Sequence, residues 1–116
     1  MKAVVIEDEI LIREGLCKLM KKMFPEIEVT GTAGNGQEGL LCIERDKPDM
    51  IITDIRMPVM DGLEMITKVQ ESGIFPKVIV LTAYSEFSYA QQAVKLGVSD
   101  YIIKPVVVQE CVRTIR

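Results

Sequence analysis

Four kinds of side chain stand where apolar runs stop, and each has a use in phosphate or metal chemistry. Glu7 and Asp8 follow Ala3-Val4-Val5-Ile6, and Asp54 closes Met50-Ile51-Ile52-Thr53. Thr82 follows Val78-Ile79-Val80-Leu81, and Lys104 follows Tyr101-Ile102-Ile103. An ionised carboxylate is an acceptor and a nucleophile, a hydroxyl donates a hydrogen bond to an anion, and an ammonium pairs with one as a point charge. Singly, each has an ordinary use as a helix cap, a loop residue, a β-former or a solvated lysine. It is their shared position, at the end of four different apolar runs, that asks for a common explanation.

The elements that must position them alternate along the chain. The apolar runs are short, and the one ending at Asp54 is apolar on both faces, which suits a buried parallel strand better than a helix. Ile12, Leu16, Leu19, Met20 and Met23 recur at helical spacing, and Pro25 ends their stripe. Ile27 to Ala33 alternates apolar and polar residues, as a half-buried edge strand does. Asn35 with Glu38, and Asp61 with Glu64, have capping-box spacing ahead of a second helix (Leu40, Leu41, Ile43) and a third (Leu63, Ile66, Val69), and Gly73 stops the latter. Ser85 is placed to cap a fourth helix carrying Ala90, Ala93 and Val94, which Gly97 ends; Val108, Cys111, Val112 and Ile115 begin a last one.

Strict β-then-α alternation predicts an α/β fold: a flavodoxin-like, doubly wound, five-stranded parallel sheet of order 2-1-3-4-5, with right-handed crossovers and helices on both faces. In that order the first and third strands are neighbours at the topological switch point. Glu7 and Asp8 then lie beside Asp54, and Thr82 and Lys104 end on the same edge. Carboxylates converging in one crevice repel one another unless protonated or compensated by a cation. Mg²⁺ suits such a place, with Asp8 and Asp54 as ligands and Glu7 acting through water. A phosphoryl group on Asp54 would set an anion beside that metal, where Lys104 could pair with it and Thr82 could donate to it.

The chain has 116 residues and is 48% hydrophobic, enough for one domain with a real core. Its formal charge is −3 and its pI about 5.0, with Lys and Arg scattered, so it carries no electrostatic footprint for nucleic acid or an anionic membrane. The N-terminus lacks a signal-peptide pattern, no stretch is long and apolar enough to span a bilayer, and a cytoplasmic location is expected. The three cysteines, Cys17, Cys42 and Cys111, lack metal-ligand spacing and are expected to be buried free thiols.

At these residues the chain resembles a receiver domain of the two-component response-regulator family. The resemblance rests on Glu7-Asp8, on Asp54 with Met57-Pro58 and Asp61-Gly62, on Thr82-Ala83 and on Lys104-Pro105, and it covers residues 1–116. It implies phosphoryl transfer from a sensor histidine kinase to Asp54, Mg²⁺ dependence with the Arg56 backbone carbonyl as a further ligand, and a switch in which Thr82 moves toward the phosphate and Tyr101 changes rotamer. A domain of this kind catalyses its own phosphorylation and dephosphorylation and is not a turnover enzyme. The resemblance further implies homodimerisation on phosphorylation, with DNA contacted only through a separate C-terminal effector domain. Ser85 to Ala90 with Gly97 to Tyr101 is similar to receivers joined to AraC-type DNA-binding domains. Val106-Val107-Val108 departs from the family pattern, in which a polar or acidic cap precedes the last helix. That helix is expected to be cut short at Arg116, with the effector domain absent. Arg56 and Tyr84, two residues beyond Asp54 and Thr82, are expected to flank and obstruct the path of a hydrolytic water.

Two other functions fit parts of the sequence. Gly34-Asn35-Gly36-Gln37-Glu38-Gly39 matches G-x-G-x-x-G between a strand and a helix, with Asp54 placed as a ribose-binding acid, as in a dinucleotide-binding half-domain. That reading explains neither Glu7-Asp8 nor Lys104. An aspartyl-nucleophile phosphohydrolase would use Asp54 but normally needs a second acid near it, where this chain has Arg56, and a substrate-closing cap. The chain has no His, which excludes His-based triads and His metal ligands.

Overall fold

The computed structural model describes residues 1–82, 87–103 and 114–115, without the side chains of Phe87, Tyr89, Ala90 and Ile103. Five parallel strands, β1 (Lys2–Ile6), β2 (Glu28–Ala33), β3 (Met50–Asp54), β4 (Lys77–Thr82) and β5 (Asp100–Ile103), form one sheet in the order β2-β1-β3-β4-β5. Four helices connect them: α1 (Ile10–Met23), α2 (Gly36–Asp46), α3 (Gly62–Glu71) and α4 (Phe87–Lys95). This is the expected flavodoxin-like arrangement, in which each parallel pairing needs a helical crossover.

The strand periodicity divides the core. Ala3 and Val5, Met50 and Ile52, and Ile79 and Leu81 join Leu16, Met20 and Phe24 on the α1 face, where Ile102 and Ile115 also pack. Val4 and Ile6, Ile51, and Val78 and Val80 join Ile43, Met65, Ile66 and Val69 on the opposite face, beneath α2 and α3. Alternate residues of a strand point to opposite faces, so a strand covered on both sides is apolar along most of its length; β3 is buried at every position and turns polar only at its carboxyl end, Thr53 and Asp54. The edge strand β2 is half-buried as its sequence suggested, with Ile27 and Ala33 buried, Glu28 and Thr32 exposed and the residues between them intermediate. Its register against β1 slips between Ala3 and Val4, which interrupts a strict two-residue pattern.

The helix ends largely follow their signals. Asn35 caps α2 by accepting the Glu38 amide at 2.9 Å, and Asp61 caps α3 by accepting the Glu64 amide at 2.8 Å. The reciprocal arm of the first box lands one residue early, with the Glu38 carboxylate taking the Gly34 amide at 3.4 Å. Gly73 (φ 80°) and Gly97 (φ 87°) follow α3 and α4 in the left-handed conformation. Cys17 and Cys42 are free but only half-buried, since each lies toward the flank of its helix; burial pushes the Cys17 thiol pKa up. Ser85 as a cap, Cys111 and most of the last helix lie outside the described residues, where Thr114 and Ile115 are helical. Among the described residues, no helix is long and apolar enough to cross a membrane.

Candidate functional site

β1 and β3 are hydrogen-bonded neighbours, with Ile6 opposite Thr53, so both strands deliver their next residues to one crevice at the carboxyl edge. Glu7 is fully buried there, Asp54 is 3% exposed, and Asp8 is exposed at the mouth. One carboxylate oxygen from each lies within 4.8 Å of the others. Oxygens on opposite sides of Mg²⁺, at about 2.1 Å each, are about 4.2 Å apart, so little movement separates this cluster from a coordination shell. An all-oxygen, all-carboxylate donor set also suits a hard divalent ion and no soft one.

Hydrogen bonds fix two of these acids, Glu7 and Asp54. The Glu7 amide donates to the Ala33 carbonyl at 3.0 Å, which ties the end of β1 to the edge strand, and Glu7 Oε2 accepts the Glu9 amide at 3.2 Å. Asp54 Oδ1 accepts the amide of Ile55 at 2.8 Å, which orients the carboxylate, and the Thr53 hydroxyl donates to the Asp54 carbonyl at 2.9 Å. Gly62, the first residue of α3, closes the loop by donating to the Ile55 carbonyl at 2.7 Å. A side chain at Gly62 would strike the Asp54 carbonyl, so the Asp61-Gly62 turn serves close packing beside the acid as much as it serves the helix start.

The other expected residues are placed as follows. Thr82 is buried at the end of β4 and pairs in register with Ile103, while Tyr101 pairs with Val80 and is 38% exposed. Thr82 and Tyr101 thus stand on neighbouring strands, and strand alternation puts both on the face opposite Ile102. Arg56 is exposed in the loop after β3. Lys104 and Tyr84 lie outside the described residues. Arg13, which the sequence reading passed over, donates from Nη1 to the Glu7 carbonyl at 3.1 Å. Its only sequence signal is a cation one turn into the helix that follows the acidic pair.

The glycine run after β2 has a packing use. Gly36 donates to the Met60 carbonyl at 2.8 Å, and that carbonyl fills the space a side chain at Gly36 would need. A side chain at Gly39 would meet Met65 Sδ and Ile6 within 3 Å. The approach that a pyrophosphate would require is therefore occupied by the β3–α3 loop.

Fold and crevice together define a class: a flavodoxin-like domain whose switch point gathers three carboxylates in a donor set that suits a hard cation. The chain belongs to the response regulator receiver domain family, which it matches over residues 3–116. It is 41% identical over 103 residues to an uncharacterized response regulatory protein of Vibrio cholerae, covering 89% of this chain and 39% of that protein. It is 40% identical over 106 residues to the uncharacterized transcriptional regulatory protein YesN of Bacillus subtilis, covering 90% of this chain and 28% of that protein. The chain thus spans well under half the length of these relatives. Among solved structures, the REC domain of AraT, a response regulator from Geobacillus stearothermophilus, superposes with a TM-score of 0.91 at 36% identity over 98% of this chain and 88% of that one. A LuxR-family DNA-binding response regulator from Staphylococcus aureus gives 0.90 at 30% identity, over 98% of this chain and 94% of that one.

Proposed function

We propose that this domain takes a phosphoryl group from a sensor histidine kinase onto Asp54 in a Mg²⁺-dependent reaction and thereby switches an output surface. The observation that carries the proposal is the convergence of Glu7, Asp8 and Asp54 at the switch point, their ligand oxygens within 4.8 Å. Asp8, Asp54 and the Arg56 carbonyl would hold Mg²⁺, with Glu7 acting through water. The ion supplies charge neutralisation for the phosphoryl oxygens and the attacking carboxylate.

In the transfer, an Asp54 carboxylate oxygen attacks phosphorus. The new phosphorus–oxygen bond forms as the phosphorus–nitrogen bond of the phosphohistidine breaks, and the electron pair returns to the imidazole. The Ile55 amide holds Asp54 Oδ1, which keeps the nucleophile from rotating. Lys104 pairs with the transferred group, and the Thr82 hydroxyl donates to it. Recruitment of Thr82 vacates space on the α4 face of the sheet that Tyr101 can fill, biasing a two-state element. The surface so altered favours homodimerisation, and DNA is reached through a C-terminal effector domain; the transcriptional names and greater length of relatives such as YesN support that role.

The test is incubation with acetyl phosphate and Mg²⁺, followed by intact mass and by acid and hydroxylamine lability. One phosphoryl adduct is expected, absent from Asp54→Asn and formed more slowly by Asp8→Asn. Labelling that survives Asp54→Asn, or that ignores both Mg²⁺ and Asp8, would refute the assignment. Sustained turnover of phosphomonoesters would favour a hydrolase instead.

A further inference from the structure

Arg13 stands one turn into α1 and reaches back to the turn that follows β1. Helical side chains lean toward the N-terminus, so a long one at this position covers the turn before it. Its Nη1 donates to the Glu7 carbonyl at 3.1 Å, and a Cβ built on Gly34 would come within 3.0 Å of the same nitrogen. The guanidinium therefore lies between the β1–α1 and β2–α2 turns. Glu7 is held at its amide by Ala33, at its carboxylate by the Glu9 amide and at its carbonyl by Arg13. Of these three bonds, only the last is supplied by the side chain of another residue.

We propose that Arg13 is a positioning residue for the metal site, acting through the backbone of Glu7. Asp8 follows Glu7 directly and is exposed, so the direction of its carboxylate depends on the peptide that Arg13 holds. This inference rests on the receiver reading of the crevice. Two roles for Arg13 predict opposite signs. As a nearby cation it repels Mg²⁺, and its removal would tighten binding. As the donor that fixes the acidic turn it aids Mg²⁺, and its removal loosens the ligand set. Groups that orient a metal's ligands typically cost 10-fold or more in affinity when lost.

Mg²⁺ affinity is measured by calorimetry on the full chain, without phosphodonor, for the parent, Arg13→Met, Arg13→Lys and Asp8→Asn. Arg13→Met keeps the apolar stem and loses the donors, and is expected to bind Mg²⁺ about tenfold more weakly. Arg13→Lys, which keeps a single charged donor, should fall between it and the parent. Unchanged affinity in Arg13→Met with a lowered melting temperature would mean a merely structural residue, and tighter binding a through-space charge; either overturns the proposal. Should Arg13→Met not fold, Arg13→Lys decides alone, since affinity equal to or above the parent's overturns it. Failure of the parent to bind Mg²⁺, or indifference to Asp8→Asn, would sink the receiver-type reading of the crevice and this inference with it, an outcome distinct from failure of Arg13 alone.

Discussion

The two edges of the sheet use the same residue type for different ends. At the carboxyl edge, Gly36 and Gly62 sit against backbone: a Cβ on either would strike a carbonyl, that of Met60 or of Asp54. At the amino edge, Gly73 and Gly97 have nothing within 4 Å of where a Cβ would stand, and they are there for their positive φ. One edge needs glycine for lack of room and the other for conformation. Loops that must hold three carboxylates near one point are packed on one another, whereas loops that only return the chain are free to face solvent.

The sharpest way to break this comparison is a pair of alanines. Gly62→Ala should cost about 3 kcal/mol, because neither the Asp54 carbonyl nor the helix start can move cheaply. It should also slow phosphoryl labelling about 100-fold by displacing Asp54, the proposed acceptor. Gly73→Ala meets no atom and only takes on the left-handed penalty, about 1 kcal/mol, with labelling unchanged. Urea midpoints and labelling rates test both variants. Equal losses, or a labelling defect in Gly73→Ala, would mean that the edges do not differ in this way.

Most of this architecture was legible because it rests on short-range signals. Apolar runs that fit only buried strands, and caps such as Asn35 and Asp61 at fixed distance from their partners, specify elements locally, and strict alternation leaves few topologies. The convergence of Glu7, Asp8 and Asp54 followed from strand order alone. What escaped was set by packing between loops. The Gly36 amide reaching the Met60 carbonyl, and Arg13 reaching the Glu7 carbonyl, join segments whose relation no periodicity records. The same packing removes the dinucleotide alternative for the glycine run, whose spacing allows a phosphate cradle but whose space is taken by the β3–α3 loop.

A second pair sharpens the contrast at smaller cost. Among the described residues, two that are not glycine have positive φ, one at each edge: Val59 (φ 70°) in the loop after β3, and Lys47 (φ 46°) at the C-cap of α2. Val59 is exposed and β-branched, so no buried contact offsets its unfavourable backbone. Replacing either residue by glycine relieves about 1–2 kcal/mol of left-handed strain and loses part of that to unfolded-chain entropy. A net gain of about 0.5 kcal/mol is expected for each. The variants should part in function: Val59→Gly loosens the loop carrying Met60 and Asp61 and should change the lifetime of the aspartyl phosphate, whereas Lys47→Gly should leave it alone. Equal lifetimes in both would detach the strain at Val59 from the site.

The smallest effect concerns charge at the amino edge, where one ion pair serves stability and not chemistry. Arg45 grips the neighbouring Asp46 with Nε at 2.7 Å and Nη2 at 3.1 Å. That hydrogen-bonded guanidinium is the main reason the Asp46 carboxyl lies below its ordinary pKa, with Thr30 and Lys2 adding to it against some desolvation. A carboxyl whose pKa is lower folded than unfolded contributes stability above the unfolded value, near 3.9, and loses it as pH falls through the folded value. Arg45 is mostly exposed, so solvent and salt screen the pair and its contribution is small. Arg45→Gln should accordingly lower the urea midpoint slightly at pH 7, and the gap from the parent should close as pH falls below the ordinary carboxyl range and Asp46 protonates in both proteins. A gap that persists at the acid end would assign the effect to the packing of the Arg45 stem along α2. A change in Mg²⁺ affinity or labelling would show that charge at the amino edge reaches the crevice, which the separation of the two edges does not allow.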